Sequence, residues 1–142
     1  MKYRKMGRTG LKVSEICLGT MIYGDQIEEA RSLKIIRKAL DSGVNFFDTA
    51  DSYIKGKSEE IVGKALKRHR NSVVLATKVA NRVGPGPNDV GLSRKHIMKA
   101  IEDSMRRLKT DYIDIYYAHL PDYETPIEES LQAMDDMVHQ GK

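Results

Sequence analysis

The 142-residue sequence has no tryptophan, two phenylalanines, four prolines and a single cysteine, Cys17. One cysteine excludes an internal disulfide, and its place in the apolar run "ICLGTM" (16–21) marks it as a small buried thiol. No stretch approaches the roughly 18 uninterrupted apolar residues of a membrane span. The opening "MKYRKMGRTG" lacks the apolar centre of a secretory signal, so a cytoplasmic setting is expected. His69, His96, His119, His139 and Cys17 are dispersed without metal-ligand spacing, and no metal is expected. "GKSEE" (56–60) holds a Gly-Lys-Ser triplet but not the earlier glycine of a phosphate loop, and reads as a helix start. Neither sign of charge dominates: 24 Lys and Arg against 20 Asp and Glu leave +4, scattered along the chain. That balance hints at anionic ligands and gives no argument for nucleic acid.

What is present describes a folded protein. Hydrophobic residues make up 40% and charged residues 31%, too apolar for disorder, and a chain near this length buries roughly 68–70% of its unfolded surface. Four short β-branched or apolar runs read as strands: "ICLGTM" (16–21), "VNFFDT" (44–49), "VVLATK" (73–78) and "IDIYYAH" (113–119). Helical patterns alternate with them. The first follows Asp25 as cap, with Ala30, Leu33, Ile36, Ala39 and Leu40 on one stripe and Gly43 as the stop. The second opens at Ser58 and turns Ile61, Val62, Ala65 and Leu66 inward, with the cations of "KRHR" (67–70) at its end. The third is capped by Ser93 and carries Ile97, Ala100, Ile101, Met105 and Leu108 at spacings of three and four. The fourth has Thr125 as cap, Pro126 at its first position and Glu128 completing a capping box, with Leu131, Met134 and Val138 as its buried face.

Strand starts at 16, 44, 73 and 113 lie 28, 29 and 40 residues apart, the spacing of repeated β/α units with one enlarged loop, "NRVGPGPNDVG" (81–91). Such crossovers imply a parallel sheet. Ahead of it, "KYRKM" and "LKVS" around "GRTG" read as a small hairpin, giving a hairpin over 1–15 and four β/α units over 16–142.

On that layout the polar residues fall at one edge. Asp48 ends the second strand, Tyr53 lies in the loop after it, Lys78 ends the third, His119 the fourth, and Gly19 and Thr20 sit late in the first. In parallel β/α folds this carboxyl edge is where ligand and catalytic sites are built. A phenol needs a positive neighbour to exchange its proton near neutral pH. Lys78 can supply the field, Asp48 can keep Lys78 charged, and His119 can orient a carbonyl oxygen by a hydrogen bond. The set suits protonation of an oxyanion as hydride arrives at carbon, and the hydride must come from a nicotinamide cofactor. Singly, each residue also has a structural use: Asp48 can cap a turn, Tyr53 can be a loop aromatic, Lys78 can simply end a strand, and His119 can satisfy a backbone group.

"LGTMIYG", "NFFDTADSYIKGKSEEIVGKAL", "VVLATKV", "GLSRKHI", "IDIYYAHLPD" and "TPIEESLQAM" resemble successive signatures of the aldo-keto reductase family along the whole sequence. The resemblance implies an eight-stranded TIM-type β/α barrel closed below by an N-terminal hairpin, NADPH as cofactor with NADH as the alternative, and a small aldehyde or ketone as substrate. It casts Tyr53 as proton donor, Lys78 as the group that eases loss of its proton, Asp48 as the anchor of Lys78, and His119 as the orienter of the carbonyl. It also places Gly19, Thr20, Met21, Gln26 and Asp48 against the nicotinamide half of the cofactor. "GLSRKHI" and "TPIEE" are similar to the branch containing potassium-channel β subunits and related bacterial reductases. Channel β subunits carry Asn at the position of His119, which favours a reductase over a regulatory module. A complete barrel needs about 250 residues, so the first four units of eight, a half barrel or fragment, are expected here. The Ser-Asn pair, Gln, stacking aromatic and basic segment that complete the family's cofactor grip belong to the second half. Pairing with another chain or a second copy through the open half-barrel face is the matching expectation.

Overall fold

The computed structural model describes residues 1–142. Strands β1 (Tyr3–Lys5) and β2 (Lys12–Ser14) form an antiparallel hairpin with Arg4 opposite Val13. Strands β3 (Cys17–Gly19), β4 (Phe46–Asp48), β5 (Val74–Val79) and β6 (Ile115–Ala118) form one parallel sheet in chain order. Each is followed by a helix: α1 (Glu29–Asp41), α2 (Lys57–Leu66), α3 (Arg94–Leu108) and α4 (Ile127–His139). Because strand order equals chain order, every crossover steps in the same direction, which is barrel winding and not the reversal of a doubly wound sheet. The hairpin is tied below the sheet by Asn45, just before β4: its Oδ1 accepts the Ser14 N–H at 2.6 Å and its Nδ2 donates to the Lys12 carbonyl at 3.1 Å.

The core lies between the sheet and its helices. Alternation along β4 turns Phe47 fully inward among Ile36, Ile61, Val62, Leu66 and Leu75, while Phe46 and Asp48 take the opposite, inner face. A second cluster under α3 and α4 gathers Val79, Ile97, Ala100, Ile101, Ala133 and Met137. Each of the larger side chains among them contributes about 1.5–3 kcal/mol by leaving water. Helices α2 and α3 approach closely at Gly63, where an added Cβ would lie 2.4 Å from the Leu108 carbonyl oxygen.

Several local expectations are corrected. Cys17 is exposed, because it points to the inner face of the sheet while its neighbour Leu18 packs toward the helices. Partial desolvation of the thiol, then the Asp48 carboxylate, push it up to about 11 against the opposing Lys78 charge, so it stays protonated. Asp25 does not cap α1: residues 22–27 close on themselves through Gly24 N–H to Ile27 O (2.8 Å) and Ile27 N–H to Ile22 O (3.2 Å), delaying the helix to Glu29. Ser58 is no cap either, since α2 begins at Lys57 behind a left-handed Gly56 and Ser58 is fully buried. "KRHR" lies beyond the end of α2, and its Arg70 instead pairs with Asp114 at 2.8 Å under β6. The Thr125 hydroxyl donates to Asp122 at 2.8 Å instead of capping α4, whose N-cap is Pro126. Helix α4 buries Ala133 and Met137 and half-buries Met134 as expected, but leaves Leu131 and Val138 exposed at 59% and 76%. The Ser93 cap holds as expected, its hydroxyl accepting the His96 N–H at 3.3 Å.

Candidate active site

Parallel register brings the carboxyl ends together. Gly19 lies beside Asp48 and Asp48 beside Ala76, with Lys78 two residues further along β5 and opposite Tyr117. His119 follows β6 directly, fixed by its N–H to the Val79 carbonyl at 2.8 Å. Tyr53 opens a single 3-10 turn (Tyr53–Gly56) after β4, in which Ile54, Lys55 and Gly56 all have positive φ, at 48°, 54° and 86°. Gly56 is required there twice over: by its φ and by Arg107, whose Cδ would lie 2.7 Å from an added Cβ.

Lys78 is the hub. Its ammonium donates to Asp48 Oδ2 at 2.6 Å, to the Thr49 carbonyl at 2.7 Å and to the Tyr53 phenol oxygen at 3.0 Å. An ammonium has three protons, so every one is committed and the phenol keeps its own hydrogen for another acceptor. Burial opposes the charge on Lys78, but its hydrogen bonds to Asp48 and Tyr53 outweigh that and hold its pKa above the ordinary lysine value. The rings of Tyr53 and His119 stand edge to face with centroids 5.6 Å apart. Burial, then the Lys78 charge, lower the His119 pKa, so the imidazole is neutral at neutral pH. Asp48, Tyr53, Lys78 and His119 therefore share one rim, where the sequence expected them.

The five residues expected against a nicotinamide are placed unequally. Gly19 has no atom within 4 Å of a would-be Cβ, so the inner face beside Asp48 is open for a flat ring. Met21, 59% exposed, and Gln26, also exposed, lie in the segment that follows β3, and the Asp48 side chain retains 24% exposure. Thr20 is fully buried and turned away. Its hydroxyl donates to the Asp48 carbonyl at 2.9 Å and lies 2.8 Å from Ser58 Oγ, which donates to the Thr20 carbonyl and sits 3.0 Å from Thr49 Oγ1. These three hydroxyls join the ends of β3 and β4 to the start of α2. Gly19 and Asp48 thus leave open space at this edge, and the Thr20 hydroxyl is engaged elsewhere.

Sequence reasoning missed the support behind the rim. Glu59, fully buried, accepts from Thr77 Oγ1 and Arg107 Nε, each at 2.6 Å, linking β5, α2 and α3 beneath the Tyr53 turn. Asp51 is 3% exposed and neither of its carboxylate oxygens has a hydrogen-bond partner; nor does the buried Tyr116 hydroxyl. Burial, then the Glu59 carboxylate, push Asp51 up to about 7. Asn81, in the loop after β5, places Nδ2 3.1 Å from His119 Nδ1 and 3.3 Å from Ser52 Oγ. Its proximity to Lys78 in sequence was the only available signal.

Comparison with known proteins bears on the fold. The profile of the Aldo/keto reductase family matches residues 15–142. A probable voltage-gated potassium channel subunit beta of Arabidopsis thaliana is 43% identical over 99% of this chain and 44% of its own length. The uncharacterized oxidoreductase YrpG of Bacillus subtilis is 43% identical over 100% of this chain and 47% of its own length. Among solved structures, the holo form of aldo-keto reductase AKR11C1 from Bacillus halodurans superposes with a TM-score of 0.90 at 40% identity, covering 99% of this chain and 47% of that one. The chain thus spans about half the length of the relatives it matches, and its sheet and helices correspond to part of a barrel.

Proposed function

We propose, from the premise that this chain belongs to the aldo/keto reductase family, that it carries the proton-donating site of a carbonyl reductase acting on a small aldehyde or ketone. One observation carries this reading: all three Lys78 ammonium protons are committed, one of them to the Tyr53 oxygen, so the phenolic hydrogen is free to be given away. Tyr53 transfers that proton to the carbonyl oxygen. Lys78, already bonded to the phenol oxygen, stabilises the phenolate left behind, and Asp48 and the Thr49 carbonyl hold the ammonium in place. His119, neutral, directs a hydrogen bond to the same carbonyl oxygen. A nicotinamide, when bound, supplies the hydride. Gly19, Met21, Gln26 and Asp48 would hold it, with NADPH preferred by family likeness and NADH the alternative. The expected setting is cytoplasmic.

The test is carbonyl-dependent loss of NADPH absorbance by the wild-type chain and by Tyr53→Phe. The variant should lose at least about two orders of magnitude in turnover; unchanged activity would reject the assigned donor. A second reading, a binding or regulatory module in which the cofactor is only a ligand, draws on the likeness to the plant channel subunit. It predicts NADPH binding by titration with no turnover in either protein. Failure to bind NADPH at all would mean that the isolated chain is not an enzyme by itself.

A further inference from the structure

One side chain joins the three loops that carry the rim. Asn81 lies after β5, its partner Ser52 lies after β4 next to Tyr53, and its other partner, His119, lies after β6. The contacts run through one atom: Asn81 Nδ2 is 3.1 Å from His119 Nδ1 and 3.3 Å from Ser52 Oγ. An amide nitrogen has two protons and no available lone pair, so it can only donate. It is matched at Nδ1 only if that atom carries the imidazole lone pair, and a neutral imidazole then has its proton on Nε2. No protein group bonds Nε2, which is left for whatever enters the site.

We propose that Asn81 is a positioning residue that locks His119 in the Nε2–H tautomer, so that the imidazole presents a donor, and not a lone pair, beside the Tyr53 hydroxyl. The inference rests on the carbonyl-reductase reading for its purpose, because a carbonyl oxygen needs a donor there. The tautomer itself is independent of that reading. In the opposite amide orientation Oδ1 would face Nδ1 and call the proton to that side, leaving an acceptor at Nε2. Such an imidazole would compete with substrate for the phenolic hydrogen. In this orientation the second Nδ2 proton goes to the Ser52 hydroxyl, so both amide protons have an acceptor.

Long-range proton–nitrogen correlation spectra of imidazole-labelled protein, with His119 assigned through His119→Gln, read the tautomer directly and need no turnover. The wild type should show a single Nε2–H form. Asn81→Asp replaces the donor by an acceptor and should move the proton to Nδ1, raising the His119 titration midpoint by roughly one pH unit or more in a field otherwise set by Lys78, Asp48 and Tyr53. Asn81→Ala should give a mixture of tautomers. A predominantly Nδ1–H wild type overturns the proposal, as does an unchanged single tautomer in Asn81→Ala. If Asn81→Asp does not fold, the wild-type and alanine spectra decide. If the spectra behave as expected but Tyr53→Phe leaves turnover unchanged, the reductase reading fails and the tautomer lock stands.

Discussion

The Glu59 carboxylate and the Arg107 guanidinium meet at 2.6 Å with the Glu59 side chain wholly withdrawn from solvent and Arg107 26% exposed. Thr77 takes the other Glu59 oxygen, so a strand and two helices share one buried charge. Removing one partner of such a pair strands the other. Arg107→Ala should cost about 3–5 kcal/mol, whereas Glu59→Leu combined with Arg107→Met should cost far less or even stabilise. Urea denaturation of the two variants checks this; equal losses would mean that the ion pair itself contributes the stability.

Asp51 makes stability depend on pH. Its folded pKa, raised from 3.8 to about 7, means that the folded state holds this proton more tightly than the unfolded chain does. Its contribution is therefore complete below about pH 4 and is lost as pH rises through 7, an upper limit of roughly 4 kcal/mol at 1.36 kcal/mol per unit. Asp51→Asn should flatten the denaturation midpoint across that window and be the more stable protein at pH 8. A wild-type midpoint that rises steadily from pH 5 to 8, unaltered by the substitution, would contradict the assignment.

Helix α4 gives a paired test of orientation. Met137, 5% exposed, should cost about 2–5 kcal/mol when cut to alanine, while Leu131, 59% exposed, should change stability by no more than about 0.5 kcal/mol. Comparable losses at both positions would mean that the exposed stripe is covered in solution, and sedimentation would show by how many copies.

Gly63→Ala is a severe substitution for its size. The new methyl would lie 2.4 Å from a main-chain oxygen of α3, which cannot rotate aside as a side chain can. A loss of about 1–3 kcal/mol in thermal or urea unfolding is expected, and a neutral result would show that α2 and α3 slide freely.

The order of units and the rim were legible because both follow from period and direction. A buried strand ending in "FDT" or "ATK" has only one edge at which to place its polar residue, so Asp48, Lys78 and His119 could be brought together by counting. Caps were less legible. Ser58 and Thr125 have the composition of caps, yet the Ser58 hydroxyl found a tertiary partner in Thr20, 38 residues away, and the Thr125 hydroxyl turned back to Asp122, three residues before it. Helix α4 was partly rotated in the sequence reading: Met134 does pack on the core as expected, but Ala133 and Met137 take the buried places given to Leu131 and Val138, a choice set by the surface α4 lies on and not by its own periodicity. Cys17 failed because a short apolar strand has two faces and the sequence does not say which is covered. Glu59 and Arg107 stand 48 residues apart on helix surfaces where charge ordinarily means solvent.

The run of left-handed residues behind Tyr53 has a consequence for how this site can change. Ile54 is β-branched and sits at φ 48°, with Lys55 beside it at 54°, conformations that cost non-glycine residues on the order of 1–3 kcal/mol each. Glycine or asparagine at either position would relieve that cost and make a sturdier molecule. It would also widen the range of attitudes open to the neighbouring ring. Thermal robustness and accuracy of aim are therefore opposed at this turn, and selection for the first alone would erode the second.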